Sequence, residues 1–179
     1  MDKDLSRILI TQKEIEKKVI ELGRLISEDY KGKDLLLVCV LRGSIIFTAD
    51  LIRALSIPVK VDTIAVSSYG DQTKSSGVVR LIKDLDEDIT GKHVLIVEDI
   101  VDSGLTLQYL RKMLEQRNPA SVKVCTLLDK KQRRVHDQEP DYHGFIIPDE
   151  FVVGYGMDYQ EFYRQLPYIG VLDQKIYKE

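Results

Sequence analysis

The chain alternates between stretches of helical spacing and short unbroken apolar runs. Ile15, Val19, Leu22 and Ile26 recur every three or four positions, and Thr11 with Glu14 makes a capping box ahead of them, so the pattern predicts an amphipathic helix. Leu35–Leu41 (LLLVCVL) is apolar throughout, as expected of a strand covered on both faces. Ser44–Leu55 reads as a helix and Val59–Val66 as the next strand. Ser67–Gly77 (SSYGDQTKSSG) is polar, carries two glycines and has no apolar period, and it reads as a loop between strands. His93–Glu98 is another buried strand, Gly104–Arg117 a helix with Leu107, Leu110 and Leu114 on one face, and Val122–Leu128 a further strand. Two short apolar runs follow, Phe145–Ile147 and Phe151–Val153. Strands alternating with helices predict an α/β fold: a central, mainly parallel β-sheet flanked by helices, with right-handed crossovers. Ligands of such sheets gather at the carboxyl ends of the strands, so chemistry is expected just after each strand.

Composition narrows the class. The 179 residues suit a single domain, and 44% apolar with 31% charged residues is ordinary for a globular protein. A net charge of −3 argues against a nucleic-acid-coating protein. No apolar run approaches the ~18 residues of a membrane span, and MDKDLSRILI lacks the apolar centre of a signal peptide. Cys39 and Cys125 each lie inside an apolar run and read as small core residues, which fits a cytoplasmic setting. No nucleic-acid or membrane partner is expected.

The densest chemistry lies in Val94–Thr106, VLIVEDIVDSGLT. An apolar strand leads into Glu98 and Asp99, two more apolar residues follow, and Asp102-Ser103-Gly104-Leu105-Thr106 opens a helix. Gly104 permits close backbone approach, Ser103 and Thr106 offer hydroxyls, and a helix N-terminus presents free N–H groups to an anion. A plain reading has Asp102 and Ser103 capping the helix. Capping does not explain two adjacent acids at the end of a buried strand, since such acids repel unless a cation or hydroxyls satisfy them. GxxxxGK[ST] and GxGxxG are both absent, which removes the P-loop and dinucleotide-fold readings.

Residues 94–106 resemble the phosphoribosyl pyrophosphate (PRPP) motif of type I phosphoribosyltransferases, and the resemblance extends over residues ~5–175. It implies the type I phosphoribosyltransferase fold as one domain, 1–179, with a core over about 10–135 and a small hood carrying the purine pocket, formed by the N-terminal residues and about 136–179. By this resemblance Glu98, Asp99, Asp102, Ser103, Gly104, Leu105 and Thr106 bind the 5′-phosphate and ribose. Asp102 is the catalytic residue, a general base toward purine N7. Leu41-Arg42-Gly43 is similar to the pyrophosphate loop with a cis peptide between its first two residues, and Arg164 to the pyrophosphate-binding arginine. Lys130, Phe151, Val152 and Asp158 match the purine pocket of the hypoxanthine–guanine branch. Ser68 and Tyr69 match a lid over the reacting sugar, and Glu98, Asp99 and Asp158 a Mg²⁺ site completed by substrate or water.

The implied reaction joins hypoxanthine or guanine to PRPP, giving IMP or GMP and pyrophosphate, with Mg²⁺ as cofactor and a homodimer or homotetramer as the assembly. Lys130 has only donors to offer, which suits a 6-oxo group and disfavours adenine. Leu105 and Ser103 stand where some members have lysine and threonine, and both swaps suit a cradle built from backbone. Lys131, Arg133 and Arg134 read as a solvated basic face. Two alternatives stay open: a non-catalytic regulator that senses PRPP with the same fold, and a transferase for another base such as xanthine.

Overall fold

The computed structural model describes residues 2–69 and 78–177. The strands are β1 (Leu5–Ile10), β2 (Leu35–Leu41), β3 (Lys60–Tyr69), β4 (Val78–Lys83), β5 (His93–Val101), β6 (Ser121–Asp129), β7 (Tyr142–Ile146), β8 (Val152–Val153) and β9 (Ile169–Leu172). The helices are α1 (Gln12–Asp29), α2 (Ile45–Ala54), α3 (Leu105–Glu115) and a single turn, α4 (Gln174–Tyr177). Six strands form one sheet in the order β4-β3-β2-β5-β6-β7, parallel except for the β3–β4 hairpin at one edge. A second sheet has the order β1-β9-β8 and is antiparallel.

Strand alternation builds two apolar layers from one run of sequence. Leu35 and Leu37 of β2 join Leu95 and Val97 of β5 under α1 and α2. Leu36, Val38 and Val40 turn the other way, with Val94 and Ile96, toward Leu107, Leu110 and Leu114 of α3. That two-sided burial is why LLLVCVL carries no polar position. The α1 capping box forms as expected: the Glu14 N–H donates to Thr11 Oγ1 and the Thr11 N–H donates to Glu14 Oε2. Both cysteines are free and buried.

Three expectations shift. Ser67, Ser68 and Tyr69 are not loop but the end of β3, where Ser67 pairs with Arg80, Ser68 with Val79 and Tyr69 with Val78. Beyond Ala65 this strand has outrun β2 and pairs only with β4, so its backbone is satisfied without an apolar pattern. The rest of the polar segment, residues 70–77, lies outside the described residues. Strand β7 belongs to the large sheet, so the core extends to Ile146 and not to about 135, and the hood is β1, β8, β9 and α4. Finally, β5 runs on to Val101, which places Glu98 and Asp99 inside the strand.

Candidate active site

A cleft of about 420 Å³ opens at the carboxyl ends of β2, β5 and β6, and residues of the hood complete its wall. Arg42, Gly43, Asp99 and Asp102 line it from the core, with Lys130. Phe151, Val152, Asp158 and Arg164 line it from the hood side. A smaller cavity of about 90 Å³ adjoins the N-terminus of α3, lined by Glu98 and residues 100–107. Asp102 and Ile100 belong to both walls.

The small cavity is a cradle of backbone donors. The N-cap of α3 is Gly104, in the left-handed region at φ 85°, which has no side chain to cap with. Of the expected capping by Asp102 and Ser103, only a long hydrogen bond forms: the Leu105 N–H donates to Ser103 Oγ at 3.4 Å. First-turn N–H groups have no intrahelical partner, so the Ser103–Thr106 turn offers donors and a positive dipole end to an anion. The turn is braced from outside. The Ser103 carbonyl accepts from the N–H groups of Val135 and His136, both at 3.0 Å. Arg134 holds that segment by pairing with the fully buried Asp129 and by donating to the Gln138 carbonyl. Arg134 thus belongs to the cradle's support and not to a solvated face, a role invisible in a basic run.

Glu98 and Asp99 are not side by side. Successive strand residues point to opposite faces, so Glu98 is buried at the cradle while Asp99 enters the cleft. Burial, reinforced by the neighbouring Asp99 charge, pushes the Glu98 carboxyl well above its usual range. Burial also raises Asp99 to about 6, against two backbone hydrogen bonds and the Arg164 guanidinium, which pull it down. Asp99 has no room beside it. A Cβ on Gly43 would lie 1.8 Å from Asp99 Oδ2, and a Cβ on Gly156, itself at φ 102°, would lie 2.0 Å from the Gly43 carbonyl. Two glycines from distant segments let the β2–α2 turn pass between the acid and the hood. The Leu41–Arg42 peptide bond in that turn is cis.

Asp102 Oδ1 is shielded from solvent and has no hydrogen-bond partner among the described residues. Arg133 Nε makes an ion pair with it at 3.1 Å, and Nη1 reaches Asp149 at 3.5 Å. Lys130 is 7% exposed, with Nζ 3.9 Å from Asp149 Oδ1. Burial pulls its pKa down, partly offset by Asp102 and Asp149. Phe151 is 37% exposed and stacks on Tyr177 at 4.9 Å, while Tyr159 meets it edge-on at 5.7 Å. Arg164 donates to the Gly156 carbonyl at 2.8 Å and pairs with Asp158 at 2.9 Å. Asp149 and Glu161 carry no signal in the sequence, and Arg133 and Arg134 read there only as a solvated basic run, because their partners come only with the fold.

The donor set suits a hard cation in one specific way. No three acids, histidines or cysteines converge into a direct cluster among the described residues. Asp99 and Asp158 do share the cleft. Both Asp158 oxygens are engaged, with Arg164 and with the Glu161 N–H. One or two carboxylates with substrate oxygens and water is how Mg²⁺ is ordinarily held, and the residues present fit it.

Known proteins with this arrangement are close in sequence. Residues 7–160 match the family model described as a phosphoribosyl transferase domain. The hypoxanthine-guanine phosphoribosyltransferase of Mycobacterium avium is 51% identical, covering 98% of this chain and 90% of that protein. The chain belongs to the type I phosphoribosyltransferase family, in its bacterial hypoxanthine–guanine branch. The enzyme of the same name from Streptococcus thermophilus is 48% identical over the whole of this chain and 99% of its own length. A crystal structure of a hypoxanthine phosphoribosyltransferase from Staphylococcus aureus superposes with a TM-score of 0.96 at 46% identity, covering 100% of this chain and 97% of that one. Among the described residues no helix is long and apolar enough to cross a membrane.

Proposed function

We propose that this phosphoribosyltransferase carries the 5-phosphoribosyl group of PRPP to N9 of hypoxanthine or guanine, giving IMP or GMP and pyrophosphate. One observation carries the reading: Asp102, whose shielded Oδ1 is ion-paired with Arg133 but accepts no hydrogen bond among the described residues, stands on the wall shared by the cleft and the anion cradle. A phosphate in the cradle and a base in the cleft would both lie against it.

The N–H groups of the Ser103–Thr106 turn take the 5′-phosphate, and this remote binding positions the anomeric carbon. Glu98 and Asp99 accept bonds from the ribose hydroxyls. Donors at Arg42, Gly43 and Arg164 hold the pyrophosphate as negative charge develops on it. Asp99, with Asp158 acting through water, would hold Mg²⁺, which when bound neutralises charge on PRPP and on the leaving group. Asp102 accepts the N7 proton of the base while N9 forms the new bond. Lys130 donates to the 6-oxo oxygen, Phe151 stacks on the base and the Val152 backbone bonds its edge. Adenine offers a donor where Lys130 needs an acceptor, and such a mismatch is rejected strongly. Ser68 and Tyr69, at the end of β3, help shield the sugar from water.

The protein works in the cytoplasm as a homodimer or homotetramer. Ile20 on α1 and Ile45 on α2, 66% and 51% exposed, are apolar surface that a second copy would cover. The test of the reaction is pyrophosphate release from PRPP with each of hypoxanthine, guanine, xanthine, adenine and uracil, with and without Mg²⁺. Turnover restricted to oxopurines and dependent on Mg²⁺ is expected. Comparable turnover with adenine would overturn the role of Lys130, and PRPP binding without turnover on any base would favour a regulator.

A further inference from the structure

The two arginines at the pyrophosphate end of the cleft already hold an anion, and it belongs to the protein. Glu161 faces Arg42 as a fork: Oε2 lies 3.0 Å from Nη1, and Oε1 accepts from Nη2 at 3.2 Å. The same Oε2 lies 3.3 Å from Arg164 Nη2. One carboxylate is therefore shared by guanidinium groups from the β2–α2 turn and from the hood.

The local backbone is built to aim it. The Glu161 N–H donates to Asp158 Oδ2 at 2.9 Å. Gln160, Glu161 and Tyr163 all have positive φ, at 52°, 68° and 76°. Side-chain-bearing residues rarely adopt that region, and three within four positions make a tight turn that surrounding contacts must enforce. Arg164 does not need Glu161 for its orientation, because the Gly156 carbonyl and Asp158 already fix it. Nor does the Glu161 pair bury anything: Arg42 and Glu161 are 69% and 59% exposed. An exposed pair of this kind contributes little to stability and exchanges readily with other anions.

A carboxylate fork on a guanidinium has the same geometry as a phosphate on a guanidinium. We propose that Glu161 is an internal stand-in for pyrophosphate. It occupies Arg42 and Arg164 while the cleft is empty, yields them when the diphosphate of PRPP enters, and reclaims them as pyrophosphate leaves. Its role is to weaken the grip on the product, and it touches no reacting atom. The inference rests on the reading of Arg42 and Arg164 as pyrophosphate-binding groups.

The experiment measures inhibition by inorganic pyrophosphate, with Mg²⁺ present, against PRPP in the forward reaction. Wild type, Glu161→Gln and Arg164→Gln are compared. Glu161→Gln is expected to bind pyrophosphate ~3–10-fold more tightly and to lower the KM for PRPP, with the KM for hypoxanthine unchanged. A gain in affinity is a result that simple damage to the turn would not produce. Arg164→Gln should bind pyrophosphate more weakly. If it binds as wild type does, the assignment of pyrophosphate to these arginines fails, and the stand-in with it. If Arg164→Gln weakens binding while Glu161→Gln leaves it unchanged or weaker, the stand-in alone is overturned.

Discussion

Asp99 is held in the cleft at a measurable expense of stability, and removing its charge should make the protein more robust as it makes the enzyme worse. Burial raises the carboxyl from its ordinary 3.8 to about 6 in the folded chain. The sign follows from proton binding. Between those values the folded state holds the proton more tightly than the unfolded one, so stability falls as pH rises from about 4 to about 6, and the full penalty stands above that. At about 1.36 kcal/mol per pH unit the rise corresponds to at most about 3 kcal/mol. For a chain of this size, that is up to roughly 6–12 °C in Tm. Asp99→Asn keeps the shape and removes the charge. Thermal unfolding of wild type and variant, both free of ligand, should show the variant more stable at pH 7.5. The gap should shrink as pH is lowered toward 4.5. Turnover with PRPP should fall in the same variant, a trade of stability against function. A variant no more stable than wild type at pH 7.5, or a gap indifferent to pH, would refute the reasoning.

Asp102→Asn should cut turnover by ~10²-fold or more while PRPP still binds, read by steady-state kinetics beside PRPP titration; lost PRPP binding would point to a structural role instead. Lys130→Met removes the buried donor, and kcat/KM for hypoxanthine should drop by ~10–100-fold with the KM for PRPP little changed. Gly156→Ala drives a Cβ to 2.0 Å from the Gly43 carbonyl in a backbone conformation that resists a side chain, and should destabilise by about 2–4 kcal/mol. A Tm within a degree of wild type would show that the β2–α2 turn can move away from the hood.

How far the sequence could be read depended on how each segment is buried. LLLVCVL and HVLIVE announce themselves because both faces of β2 and β5 are covered, and α1 and α3 because one face is. The far end of β3 is polar and has the sequence of a loop, since it pairs only with the edge strand β4. The hood's strands are short, β8 being only Val152–Val153, too brief to show a period. Within the site, the Val94–Thr106 run was legible because its chemistry is contiguous. The opposite facing of Glu98 and Asp99 follows from strand alternation, but the unbroken apolar run stops at Val97 while β5 continues to Val101, which hides it. The contact of Arg42 with Glu161 spans 119 residues, and no local pattern carries it.

The hood's strand order has a consequence for how the molecule is made. Its centre is β9, with β1 on one side and β8 on the other. The six strands of the large sheet are all present once Ile146 has been added, and the phosphate cradle with them. The hood must wait for Ile169–Leu172, because until then β1 and β8 have no neighbour to pair with. A growing chain therefore owns the α3 cradle and Lys130 before the wall that carries Phe151 and Val152. In order of manufacture, closing the cleft is the last step.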